Sequence, residues 1–211
     1  MRSAIHQISG SFFLLCILSS CSSSGGGGDD PLLITEEQPE SVTRNDGPEG
    51  NSALIISDMP YPLDSAVGNI WGGRGDRFRI DLTLTDGNFA LEPVELDGQS
   101  HQVLVPSMAT AIVHVDIYSA GSSFSYGSYG FVPVDNTEDV TAGFGYFTDA
   151  FVGVDTNGDN RVSDGERYDV VDGVLEFQGG PPDISLSFSM TLSGGQSASG
   201  EYTGLFDFTE R

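Results

Sequence analysis

Residues 155–166 read D-T-N-G-D-N-R-V-S-D-G-E, and they place side-chain oxygens at Asp155, Asn157, Asp159, Ser163 and Glu166. Hard oxygen donors gathered in so short a stretch suit calcium. Asp155, Asp159 and Glu166 would bring three carboxylates together, with Asp164 beside them, against the single positive charge of Arg161. Without a cation such a loop repels itself.

Over these twelve residues the stretch resembles the calcium loops of EF-hand and dockerin proteins. The resemblance implies a ligand set: the side chains of Asp155, Asn157 and Asp159, the backbone carbonyl of Arg161, Ser163 through a bridging water, and both oxygens of Glu166. Val162 stands where an apolar residue pins such loops to the fold. Two features depart from the pattern. Asn160 occupies the position at which glycine takes a left-handed turn, and Asn is the next residue to tolerate that conformation. The flanks, Phe151-Val152-Gly153-Val154 and Arg167-Tyr168-Asp169-Val170-Val171, read as strands rather than helices, and there is no second loop to pair with. The expectation is one structural Ca2+ in a strand-to-strand connection, held with a Kd on the order of 10⁻⁴–10⁻³ M as in extracellular modules.

The elements that must position this loop show a period of two. In Arg77–Leu84, Ile80, Leu82 and Leu84 alternate with Arg79, Asp81 and Thr83. Ile184, Leu186, Phe188, Met190 and Leu192 alternate with Ser and Thr. Val113, Val115 and Ile117 alternate with His114, Asp116 and Tyr118, and Tyr202, Gly204, Phe206 and Phe208 with Glu201, Thr203 and Asp207. Each is a strand with one apolar and one polar face. Weaker strands fall at 52–57, 102–105, 124–132, 143–154 and 168–177, with turn signals at Thr85-Asp86-Gly87-Asn88, Leu96-Asp97-Gly98 and Gly194-Gly195-Gln196. The fold expected is all-β, an antiparallel sandwich or barrel of roughly eight to ten strands over residues 52–211.

Before it, Arg2 and the short apolar run Ser11–Ser20 read as an export leader over 1–20, ending in Leu18-Ser19-Ser20-Cys21. This tetrapeptide resembles the lipobox of bacterial lipoproteins. The resemblance implies cleavage before Cys21 and acylation of that cysteine, a firm membrane anchor since two or more acyl chains hold stably. Ser22 after it resembles the outer-membrane sorting pattern, so the expected location is the bacterial cell envelope at the outer membrane, with the membrane face left open. Residues 21–51 then hold the acylated Cys21, a Ser/Gly tether and an acidic spacer. The tether resembles that of transferrin-binding-type surface lipoproteins, whose barrels bind host proteins, and the likeness covers the tether alone. With Cys16 cut away and Cys21 lipidated, no cysteine is left to brace the domain.

The chain carries 31 acids against 8 basic residues, all Arg, for a net charge of −23. Such a surface excludes nucleic acid as a partner. Arg74-Gly75-Asp76 belongs to a glycine-rich turn, and Trp71 beside it reads as a cap on one end of the fold. His114 with Asp116 offers a base and an orienting carboxylate, but there is no G-x-S-x-G elbow and no cysteine nucleophile, so no catalytic residue is assigned. Tyr118–Phe131 mixes Gly, Ser and aromatics in a pattern that fits cross-strand packing. The reading is a lipid-anchored binding or structural surface domain braced by calcium, with an unidentified protein or glycan ligand. A ligand-binding barrel lipoprotein is the alternative, and an envelope hydrolase acting on polysaccharide comes third.

Overall fold

The computed structural model describes residues 52–210 apart from 97, 142, 181 and 182. The leader, Cys21, tether and spacer expected over 1–51 lie outside the described residues. The described part is all-β, with thirteen strands: β1 (Ala53–Ile56), β2 (Met59–Pro62), β3 (Ser65–Arg74), β4 (Arg77–Thr85), β5 (Asn88–Leu96), β6 (Gln99–Ser107), β7 (Ala111–Ala120), β8 (Gly127–Phe131), β9 (Tyr146–Val154), β10 (Arg167–Gly180), β11 (Asp183–Leu192), β12 (Ser197–Gly204) and β13 (Phe206–Glu210). Two short 3-10 turns, Val134–Asp139 and Asp164–Glu166, accompany them.

Eleven strands form one sheet in the order β13-β3-β4-β7-β9-β8-β10-β11-β12-β1-β2, and β5 and β6 form a separate hairpin. The alternation dictates how the large sheet is used. Ile184, Leu186, Phe188, Met190 and Leu192 of β11 are all buried while Ser187, Ser189 and Thr191 between them are exposed. Leu82 and Leu84 of β4, Val113, Val115 and Ile117 of β7, Phe147 and Val152 of β9, and Leu54 of β1 join the same apolar cluster. Strands from both ends of the sheet meet in one core, so the sheet curls into a half-barrel around it.

The gap between the two edges is bridged by the end of the chain. After β12 the backbone crosses at Leu205 and β13 pairs parallel to β3, with Phe208 opposite Gly68. Phe206 stacks on Phe208 and packs edge-on against Tyr202, while Phe124 and Phe177 meet the same group of rings. Gly68 has to be glycine for this: a Cβ there would sit 2.5 Å from the Phe208 ring.

Several expectations need correcting. Thirteen strands exceed the roughly eight to ten expected, because β3 and β5 carry residues that blur alternation: Gly68, Gly72 and Gly73 in one, Pro93 in the other. The run expected at 52–57 is only β1 of a hairpin whose turn residues Ser57 and Asp58 both have positive φ, as a two-residue hairpin turn requires. The run 201–208 is two strands divided at Leu205. The sheet is not wholly antiparallel, since β13–β3 and β8–β9 are parallel, and the core lies inside one curled sheet rather than between two. The packing expected of Tyr118–Phe131 is found at its centre, where Phe124 and Tyr129 stack on each other and pack edge-on against Phe177.

The closure can be checked by denaturation. Phe208→Ala is expected to cost about 2 kcal/mol, and Gly68→Ala a similar amount because its methyl displaces the same ring. The double variant should cost little more than either change alone. Additive losses in urea melts would show that the ring does not rest on Gly68.

Candidate functional site

Strands β4 and β7 are buried on their inner face and largely covered on the outer one, which is polar. Register places Asn69, Asp81, Asp116 and Thr148 in one row across β3, β4, β7 and β9. A second row sets Thr83 beside His114 and His114 beside Phe151. Two bulges adjust these rows. An extra residue in β3 leaves Trp71 unpaired between Ile70 and Gly72, and another in β9 falls between Thr148 and Phe151, where Asp149 has a φ of 43°. Bulges of this kind re-aim side chains.

Over this face lies a cleft of about 890 Å³. Its floor is Trp71, Arg79, Asp81, Thr83 and His114; its roof is the β5–β6 hairpin, with Val94, Val103, Val105 and Pro106; its end wall is Asp159–Val162 of the acidic loop. At the floor, Arg79 Nη2 donates to Asp116 Oδ2 at 2.6 Å and lies 3.3 Å from Asp81 Oδ1. The Asp81 and Asp116 carboxyls stand opposite each other across the β4–β7 ladder, and Arg79 bridges them. Burial, then Asp81, push the Asp116 carboxyl up to about 8 against the opposing pull of Arg79. Thr83 Oγ1 hydrogen-bonds with His114 Nδ1 at 3.0 Å, the His114 ring stacks on Phe151 with centroids 5.1 Å apart, and burial holds its pKa below the ordinary histidine value. Among the described residues, four buried side-chain atoms find no hydrogen-bond partner: Trp71 Nε1, Arg79 Nε, Asp81 Oδ1 and Thr148 Oγ1.

The acidic loop connects β9 to β10, so its flanks are strands. Asp155 Oδ1, Asn157 Oδ1 and Asp159 Oδ1 accept from the amides of Asn157, Asp159 and Arg161, three successive Asx turns at 2.9–3.1 Å. Asp155 also accepts from the Gly158 and Asn160 amides, and its own amide donates to the Thr110 carbonyl at 2.9 Å. Asn160 has a φ of 60°, the left-handed turn anticipated at that position. Val162 is buried against Ala109, Ile112 and Phe151. A Cβ at Gly153 would collide with the Val162 methyl, so the loop can sit down on β9 only over a glycine.

Glu166 is where the loop is clasped. Oε1 accepts from the Thr156 amide and hydroxyl, both at 2.8 Å, and from the Asn157 amide at 3.2 Å; Oε2 accepts from the Ser163 amide at 3.0 Å and hydroxyl at 2.7 Å. These bonds, the Ser163 pair first, hold its pKa down to about 2. For calcium the fit is partial. Asp155, Asn157 and Asp159 keep acceptor capacity, whereas both Glu166 oxygens are engaged by the loop. Among the described residues no three His, Cys, Asp or Glu side chains converge as around an ion.

Sequence reasoning had singled out the loop and His114–Asp116 without joining them. It placed Trp71 at an end of the fold; the structure puts it on the cleft floor, beneath the Arg79 guanidinium at 5.6 Å and edge-on to His101. Arg79 and Asp81 went unnoticed, although both sit on the polar face of the clearest strand. His114 Nε2 is 4.0 Å from Asp116 Oδ1, too far for a hydrogen bond, and the Thr83 hydroxyl is buried. No protein-family model matches the chain, no curated protein matches it in sequence, and no solved structure matches it.

The raised Asp116 pKa has a measurable consequence. Asp116 binds more protons folded than unfolded between the ordinary carboxylate range and its raised pKa, so its contribution to stability falls as pH rises through that window. His114, with a lowered pKa, acts oppositely, but only as pH falls below the ordinary histidine range. Between about pH 7 and 9 the melting temperature should therefore fall, and Asp116→Asn should flatten the curve and be the more stable form at the alkaline end by roughly 1–3 kcal/mol. Parallel curves for both proteins would contradict the raised Asp116 pKa.

Proposed function

We propose that the chain is a lipid-anchored protein of the bacterial cell envelope, held at the outer membrane through Cys21, whose β-domain binds a ligand in the cleft beneath the β5–β6 hairpin. The Asp155–Glu166 loop is its calcium-dependent end wall. The ion would be held by Asp155, Asn157, Asp159, the Arg161 carbonyl, Ser163 and Glu166, and its role is structural: it offsets the repulsion among the loop carboxylates. Glu166 already closes the loop onto Thr156 and Ser163, so the ion reinforces a turn that hydrogen bonds have begun.

The observation that carries this reading is the double use of one short segment. Val162 is sunk among Ala109, Ile112 and Phe151, while Asp159, Asn160 and Arg161 beside it wall the cleft. Ordering the loop therefore orders the cleft. A cleft of about 890 Å³ is within the usual range of small-ligand sites. It lies outside the half-barrel, whose interior is filled by the core, so we take the ligand to sit on the outer face and not in a barrel lumen.

Calorimetric melting of the lipid-free chain tests the metal. Calcium at about ten times its Kd should add ~1.4 kcal/mol, a rise of roughly 3–6 °C for a domain of this size. Asp155→Ala should remove the calcium-dependent part of the rise. A melting temperature that stays constant into millimolar calcium overturns the metal assignment.

A further inference from the structure

We propose that the cleft binds an acidic saccharide, a short oligosaccharide carrying uronic-acid carboxylates; this rests on the reading of the cleft as the ligand site. Two independent features of the cleft point to that chemistry.

The first is charge. The chain has 31 acids and 8 arginines, yet the cleft is lined by three of each: Asp81, Glu92 and Asp159 against Arg79, Arg161 and Arg167. More than a third of the basic residues thus face a cavity that holds about a tenth of the acids. On a molecule of net charge −23 a lining that balances three acids with three arginines repels an anion less than the surface at large does. Arg79 is held by Asp116, and Arg167 pairs with Asp164, itself almost fully exposed. Arg161 stands exposed at the end wall.

The second feature is the pattern of unpaired atoms on the floor. Trp71 Nε1 and Arg79 Nε are donors and Asp81 Oδ1 is an acceptor, all three buried without a hydrogen-bond partner, Asp81 Oδ1 having only the Arg79 guanidinium 3.3 Å away. Buried polar groups are ordinarily paired, and each unpaired one costs stability until something pairs it. A simple anion would satisfy the donors and be repelled by Asp81. A saccharide offers hydroxyls that both donate and accept, and a uronate adds a carboxylate for the arginines. The hairpin roof, with Val103 and Pro106, supplies apolar contact for the sugar's C–H surface. Aromatic stacking has little part in this, because Phe151 already carries His114 against one side and the Arg167 guanidinium 4.6 Å from its centroid.

The chain's single tryptophan is Trp71, on the cleft floor, so its fluorescence reports the site directly. Trigalacturonate and neutral maltotriose are titrated into the lipid-free chain in millimolar calcium. Trigalacturonate is expected to give a saturable change, with maltotriose binding at least about tenfold more weakly. Arg161→Gln should weaken trigalacturonate about tenfold. Trp71→Phe, followed by saccharide NMR line broadening, checks the floor: its melting temperature should stay near that of the parent while binding weakens. No response to either sugar, equal affinity for both, or trigalacturonate binding unchanged in both variants overturns the proposal. Failure here with the calcium rise intact leaves the calcium-walled cleft standing; loss of the calcium rise removes that reading itself.

Discussion

Strands β4 and β7 are covered on both sides, and the rest of the molecule is arranged to satisfy those two faces. The inner face is met by curling: Leu82, Leu84, Val113, Val115 and Ile117 join residues from the far end of the sheet in one core, and β13 returns beside β3 to fill the gap with Phe206 and Phe208. The outer face is harder to satisfy, because it carries Arg79, Asp81, Thr83, His114 and Asp116. Burying carboxylates is costly unless they are paired or protonated. Here Arg79 lies 2.6 Å from Asp116 Oδ2 and 3.3 Å from Asp81 Oδ1, and burial raises the Asp116 pKa. The hairpin and the acidic loop cover this polar face without filling it. The cleft is what is left between them.

How the loop is built follows from the same economy of charge. Its carboxylates are first satisfied locally, by three Asx turns and by the Glu166 clasp on Thr156 and Ser163. Its attachment to the domain is apolar, through Val162 over Gly153. A loop anchored by one buried side chain and otherwise held by bonds to its own backbone can be tightened by an ion without moving the sheet beneath it.

What the sequence disclosed and what it hid divide along contact range. The alternation in Arg77–Leu84, Val113–Tyr118 and Ile184–Ser193 placed three central strands and their apolar faces, since a strand's own residues decide that pattern. The left-handed Asn160 and the anchoring Val162 were legible too, because loop geometry is local. β3 was missed because Gly68 is small to admit Phe208, a residue 140 positions away, and nothing local announces that need. Asp81 and Asp116 looked like ordinary wet-face residues; only the register between β4 and β7 sets them opposite each other. Trp71 could not be placed without the bulge that lifts it from the β3–β4 ladder. Nor could the hairpin's position above that face be read from its own alternation.

The central claim is that one acidic loop both holds calcium and walls the cleft. Amide chemical shifts followed by NMR through a calcium titration test it most directly. The account predicts that Asp155–Glu166 shift together with Ile112 and Phe151, at a single midpoint in the roughly 10⁻⁴–10⁻³ M range, while β11 and β12 stay still. Shifts scattered over the acidic surface without saturation, or a silent Asp155–Glu166 segment, would contradict it.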